Sequence, residues 1–304
     1  MARATHVETD RGLTSRMFAT GLALVVLWGV VAGILLAVGV SYILVVVIMF
    51  AVIFGQYWFS DKIAMFSMNA KEVTPAEEPA LHAMVDRLCA LAGMAKPRVG
   101  VAETDVPNAF ATGRNPKAAV ICATRGIMRR LPDEELEAVL AHELSHVAHR
   151  DVAIMTVASS VGMIAGMVSR MAMWGMLLGG GGDSRDGESA AGIELATMVV
   201  SILIYAVSFL LTMSLSRYRE LAADRSGAIL IGKPSVLASA LVRINGDMGK
   251  IPTNDLRKVE GMNAFFFTPA FAKGSMASLL STHPSIERRL EQLSKLEREL
   301  NGQG

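Results

Sequence analysis

Charge and cysteine are both scarce in this chain. Of its 304 residues only 19% are charged, and 29 Lys and Arg nearly balance 28 Asp and Glu, for a formal net charge of +1. Cations so scattered form no stripe able to follow a phosphate backbone, so nucleic acid is not an expected partner. The two cysteines, Cys89 and Cys122, lie far apart with no C-x-x-C spacing. Neither a redox pair nor a zinc ribbon is expected, and both read as core thiols of a reducing compartment. Nineteen methionines are spread through apolar stretches, which points to packing rather than to copper or haem ligation, and no organic cofactor is implied. What abounds is apolar side chains, 52% of the total, more than an ordinary soluble domain carries.

The apolar residues gather in four runs. Residues 17–39 and 43–59 are each long enough to cross a hydrocarbon core of about 30 Å, and the uncharged turn between them makes a hairpin. Because the first run flows straight into a second, it reads as a retained anchor and not as a cleaved signal. Run three, 153–169, is short and rich in small residues, and it meets Arg170 and Trp174 before a glycine tract at 179–182. Run four, 195–215, has no charged residue. Arg3, Arg11, Arg16, Lys62, Lys71, Arg150, Arg217 and Arg219 flank the runs on one side, and such residues stay in the cytoplasm. About four spans with both termini cytoplasmic satisfy every boundary.

Between the hairpins the sequence turns soluble in character. Residues 76–92 place Leu81, Met84, Val85, Leu88 and Leu91 on one helical face, with Gly93 as a stop. Two strand-like runs follow, 98–102 and 118–123, separated by a stretch of Pro, Gly and Asn, and predict a small sheet. From Pro132, three acids in the first turn and a stripe of Leu136, Val139 and Leu140 predict a helix. A last helix, 284–300, keeps Ile286, Leu290, Leu293 and Leu296 for packing.

The run His142-Glu143-Leu144-Ser145-His146 on the Pro132 helix is H-E-x-x-H. Four residues at about 100° each bring both imidazoles to one face, one turn apart, where one zinc ion per chain can bridge them. A catalytic zinc needs a third protein ligand and an open position. His149 shares the face but lies roughly 10 Å along the axis from His142, too far for bonds near 2 Å. The extended metzincin pattern also fails, because it requires Gly at 149 and His at 152, where this chain has His149 and Val152. Glu220, just past the fourth run, is a candidate beside its plainer reading as an exposed helix start. It is favoured because the second hairpin returns the chain to the membrane face where H-E-x-x-H ended. Asp224, one turn later, is placed to accept a hydrogen bond from a ligating imidazole.

The runs AHELSHVAHRD and SRYRELAAD resemble the HtpX family of membrane-bound zinc endopeptidases. The likeness includes the N-terminal hairpin, PNAFATG from Pro107, GMNAFFF from Gly261 and STHPSIERRL from Ser281, and departs from the family at His149-Arg150, neither a ligand position. It implies His142, His146 and Glu220 as zinc ligands and Glu143 as the base. It further implies Asn108, Ala109 and Phe110 as an edge strand pairing with extended substrate, and the disposal of damaged or misfolded membrane proteins as the activity. His283 is left as a visitor that gates the site or as a helix-start packing residue.

The expected fold is α+β and mainly helical: a multi-pass membrane protein with a cytoplasmic, gluzincin-like zincin domain. Residues 1–60 form the tail and first hairpin, 61–152 and 216–304 the two parts of the peptidase domain, and 153–215 the second hairpin. The location is the cell membrane, with the active site facing the cytosol and membrane proteins and lipid as partners. Two alternatives stay open: a CAAX-type processing peptidase, normally built with more spans, or a non-catalytic scaffold with a four-coordinate structural zinc. Charges around H-E-x-x-H argue against an intramembrane protease.

Overall fold

A computed structural model describes residues 11–37, 41–178, 185–248 and 283–302. The glycine tract at 179–182, the GMNAFFF motif and the first ten residues with Arg3 lie outside them. The chain divides into two compact units, and the helices α2 (Tyr42–Ser67), α6 (Asp151–Leu178) and α7 (Arg185–Ile231) contribute to both.

The first unit is mixed. Strands β1 (Ala70–Glu72), β2 (Arg98–Ala102), β3 (Ala109–Thr112) and β4 (Val120–Thr124) form a sheet in the order β1-β2-β4-β3. The central pair β2 and β4 is parallel with Arg98 opposite Val120, and both outer strands run antiparallel to their neighbours. Both sheet faces are covered, which is why β4 is buried at every residue instead of alternating. Val99, Val101, Ile121 and Ala123 enter the main core; Phe110, Val120 and Cys122 point the other way, onto Ala64 and Met68 of α2. Strand β1, only three residues long, is not foreseen from the sequence.

Helix α3 (Pro79–Ala92) starts three residues later than expected and ends at Gly93 in the left-handed region, whose N–H bonds Cys89 O. Cys89 takes a core place there, whereas Leu91 is exposed. Helix α4 (Arg125–Arg130) is capped by the Thr124 side chain. Helix α5 (Asp133–Ala148) has Pro132 as its N-cap residue and Asp133, Glu134 and Glu135 against the positive helix end. It packs on α3, β3 and α8 (Pro234–Met248), and α8 packs on α9 (Ile286–Leu300). Glu135 ties α5 to α8 by accepting from Ser239 Oγ at 2.7 Å and Arg243 Nε at 2.7 Å.

The elements described in the second unit are all helices: most of α1 (Arg11–Ala37) with parts of α2, α6 and α7. Leu24, Trp28 and Val31 pack with Val161, Ile164 and Val168, and Thr212 Oγ1 donates to Ala158 O at 3.3 Å. Its outward positions are apolar too, among them Phe18, Val25, Leu203 and Leu210. Among the described residues, Leu195–Ile231 is long and apolar enough to cross a membrane; Phe18–Gly33 is apolar but shorter. Nothing breaks α7 after Leu215: the helix continues through Glu220 and Asp224 to Ile231.

Candidate metal centre

His142 and His146 project from the last two turns of α5, and Glu220 meets them from α7. His142 Nε2 lies 3.2 Å from His146 Nε2, and Glu220 places one carboxylate oxygen 3.6 Å from the first and the other 3.5 Å from the second. A tetrahedral ion with bonds of about 2.0–2.1 Å has ligand-to-ligand edges of about 3.3–3.4 Å, so the spacing suits such an ion. A carboxylate oxygen of Glu143 also falls within 4.8 Å of the two imidazole donors. Yet Glu143 follows His142 directly, so the helix turns it about 100° off the histidine face. Its Oε2 accepts the Ala111 N–H at 3.0 Å.

Two carboxylates stand behind the imidazoles. Asp151 Oδ2 is 2.6 Å from His146 Nδ1, and Asp224 Oδ1 is 2.9 Å from His142 Nδ1. Each carboxylate favours a proton on the Nδ1 it faces, which leaves both Nε2 atoms as lone pairs aimed at each other. Lone pairs 3.2 Å apart repel unless a cation lies between them. Charge agrees: Glu143, Asp151, Glu220 and Asp224 are buried with Arg219 and Arg289. The carboxylates outnumber the guanidinium groups, an excess that a dication would offset and that protonated histidine offsets in its absence. The residues present fit a zinc-like ion.

Arg219 and Arg289 hold the supporting acids. Arg219 Nη2 contacts Asp151 Oδ2 at 2.9 Å, and Arg289 of α9 grips Asp224 with two bonds of 2.7 and 2.6 Å. His283 Nδ1 lies 3.2 Å from Glu220 Oε2. Burial pushes the Glu143 carboxyl up, against the pull of His142 and His146. Burial disfavours a charge on His146, but Asp151 and Glu220 beside it raise its pKa to about 10. Even without a metal, the cluster draws positive charge.

Close approach of α5 and α7 depends on Gly227. A Cβ there would stand 2.8 Å from His142 N and 2.9 Å from His142 Cα, both backbone atoms that cannot step aside. Edge strand β3 supplies the adjoining wall. Thr124 N donates to Asn108 O at 2.9 Å and Asn108 N donates to Thr124 Oγ1 at 3.0 Å, so Asn108 faces β4. By antiparallel alternation Phe110 faces β4 as well, and the backbone groups of Ala109 and Ala111 face outward.

The structure thus gathers His142, Glu143, His146, Glu220 and Asp224 in one place, with Asn108, Ala109 and Phe110 on the neighbouring strand. Sequence reasoning missed Asp151, Arg219, Arg289, Ala111 and Gly227. The five-residue step from His146 to Asp151 was a usable signal; Arg289, Ala111 and Gly227 are defined only by packing.

Residues 75–297 match the family model described as Peptidase family M48. "Protease HtpX homolog 1" of Streptomyces coelicolor is 51% identical over 297 residues, covering 97% of this chain and 96% of that protein. "Protease HtpX homolog" of Moorella thermoacetica is 49% identical over 296 residues, covering 97% and 98%. A solved structure, that of S. mikatae Ste24p, covers 93% of this chain and 66% of its own at 17% identity and a TM-score of 0.48, too distant to carry an argument. The protein is a membrane metalloprotease, a metalloendopeptidase that acts on protein substrates. The chain belongs to peptidase family M48 and, within it, to the HtpX proteases.

Proposed function

We propose that the metal is a single zinc ion held by His142, His146 and Glu220, that Glu143 is the general base, and that the substrates are misfolded or damaged membrane proteins. The observation that carries the reading is the pair of imidazole nitrogens 3.2 Å apart, each with an oxygen of Glu220 at 3.5 or 3.6 Å, beside a buried, separately anchored Glu143. Zinc bound there would lower the pKa of a water and polarise the scissile carbonyl. Glu143 would take a proton from the attacking water and return it to the leaving amine, from a position fixed beside the histidines. The Ala111 N–H fixes the carboxylate on its path. Asp224 and Asp151 keep the two imidazoles turned to the metal. An extended substrate pairs along β3, where the outward N–H and C=O of Ala109 and the C=O of Ala111 are offered and Asn108 and Phe110 shape the strand from within. His283, beside Glu220, is proposed as the gate to the site.

In this reading the membrane part comprises residues 1–60 and 153–215, with about four spans, and the zincin domain comprises 61–152 and 216–304 on the cytoplasmic side of the cell membrane. The long apolar stretch in α7 and the outward apolar faces of α1, α2 and α7 support it. The test is cleavage of a membrane-protein substrate by detergent-purified wild type and Glu143→Gln, with metal content measured for each. The variant is expected to keep about one zinc per chain and lose cleavage. Equal cleavage by both proteins sinks the assignment of Glu143.

A further inference from the structure

Beyond its apolar run, α2 continues into the mixed unit and carries an unusual face. At about 100° per residue, Trp58, Phe59, Lys62, Ile63 and Phe66 fall within an arc of about 140°. Trp58 and Phe59 are each 44% exposed, Ile63 50% and Phe66 88%. Across the helix, Asp61, Ala64 and Met68 are buried. Among the described residues of this unit, seven large apolar side chains are exposed, and four of them lie in this stretch; the others, Leu91, Val242 and Leu300, stand singly. A contiguous patch of this kind marks a contact surface.

Cations frame the patch. Arg114 stacks over the Trp58 ring at 4.2 Å, and Lys62 Nζ sits 5.7 Å from the Phe59 centroid. The nearby acids Asp61 and Glu72 are both engaged by Arg98. Lys62, Lys71, Arg114 and Lys117 pair with no acid among the described residues. Aromatic rings with cations beside them, at the end of an apolar helix, match the layer where acyl chains meet anionic headgroups. The patch also holds the end of the edge strand: Tyr57 Oη donates to Arg114 O at 2.8 Å, and Thr112 Oγ1 donates to Ser60 O at 3.3 Å.

We propose that this face of α2, with Arg114 beside it, sits in the headgroup layer of an anionic bilayer and holds the exit end of β3 at that surface. An extended segment leaving the bilayer then meets the outward N–H and C=O of Ala109 and the C=O of Ala111 without first crossing bulk water. The proposal rests on the membrane-embedded reading above and adds where the catalytic unit touches lipid.

The test uses the full chain in vesicles of phosphatidylethanolamine and phosphatidylglycerol. The three tryptophans are Trp28, Trp58 and Trp174. A Trp28→Phe, Trp174→Phe protein leaves Trp58 as reporter, and a Trp28→Phe, Trp58→Phe protein leaves Trp174 on the second hairpin as the insertion control. Trp58 emission is expected to be quenched by lipids brominated near the glycerol backbone, and less by lipids brominated near the chain ends. If Trp174 is quenched and Trp58 is not, this inference falls and the membrane reading stands; if neither is quenched, both fall. Equal quenching in phosphatidylcholine alone overturns the assignment to anionic headgroups. A nitroxide on Phe66→Cys gives an independent measurement, since Cys89 and Cys122 are buried. Its collision rate with a water-soluble nickel chelate is expected to fall on reconstitution relative to a label on Leu300→Cys, and an unchanged ratio counts against the proposal.

Discussion

At the scale of single residues, the site depends on groups that are neither metal ligands nor the base. Gly227 is one, because its missing Cβ lets α7 approach the backbone of His142. Gly227→Ala should cost about 1–3 kcal/mol through overpacking and weaken zinc binding as Glu220 retreats from the histidines. Competition with a fluorescent chelator and a thermal melt read the two effects separately. Ala111 is another: its N–H serves Glu143 and not the β3–β4 ladder, so Ala111→Pro removes the bond and spares the strand pairing. A hydrogen bond to a charged group is worth about 1.5–3 kcal/mol, so kcat should drop roughly tenfold or more with zinc content unchanged. Should the variant lose zinc instead, the Glu143 anchor is not what Ala111 provides. The cysteines behave as the sequence implies. Burial pushes Cys89 up to about 11 and Cys122 higher still. A thiol is nucleophilic only as thiolate, so at pH 8 the raised Cys89 presents roughly one-hundredth of the usual thiolate. Alkylation of the native protein should be slow by about that factor and should accelerate as the pH rises or the chain unfolds.

At the scale of elements, what was legible in the sequence followed from local rules. Helix α5 announces itself through Pro132, its three leading acids and the Leu136, Val139 and Leu140 stripe, and it carries H-E-x-x-H with it. Helix α3 is marked by its apolar face and by Gly93. Strand β1, with three residues, is too short to show a period, and β3 lies in a stretch whose Pro, Gly and Asn mask its alternation. Only the family likeness pointed to β3. Of the long-range partners, only Glu220 and Asp224 were signalled, by the return of the second hairpin; spacing along one element cannot say which other element it meets. Arg289 is the example: on α9 it reads as one more charge of a two-signed helix, yet it is fully buried and grips Asp224 from 65 residues away. Breaking a buried pair by removing one partner costs about 3–5 kcal/mol, since the remaining charge is stranded. Arg289→Met should therefore loosen α9 and, through Asp224, the set of His142. Amide exchange across α9 checks the first consequence and zinc affinity the second; unchanged protection of α9 would mean its apolar stripe holds it alone.

For the whole molecule, metal and fold are linked through charge. Four carboxylates lie buried around the site against two guanidinium groups, and the histidines turn their lone pairs inward. A dication would offset the excess of carboxylates; without one, protons on the histidines must do so. Zinc at a free concentration about 100 times its Kd stabilises the folded state by about 2.7 kcal/mol. The contribution would not be spread evenly: α5, the Ser216–Ile231 part of α7 and α9 converge on the candidate site, whereas Leu24, Trp28, Val161 and Ile164 pack in a separate core. Chelation of the reconstituted protein should therefore speed amide exchange in 133–148, 216–231 and 286–300 and leave 14–37 and 154–168 as protected as before. Restoring zinc should reverse the change, and Glu143→Gln should show the same pattern, since Glu143 is not a ligand in this reading. A uniform loss of protection along the chain would mean that the ion stabilises both units as one, and that the division into a metal-dependent catalytic unit and a separately stable helical unit is wrong.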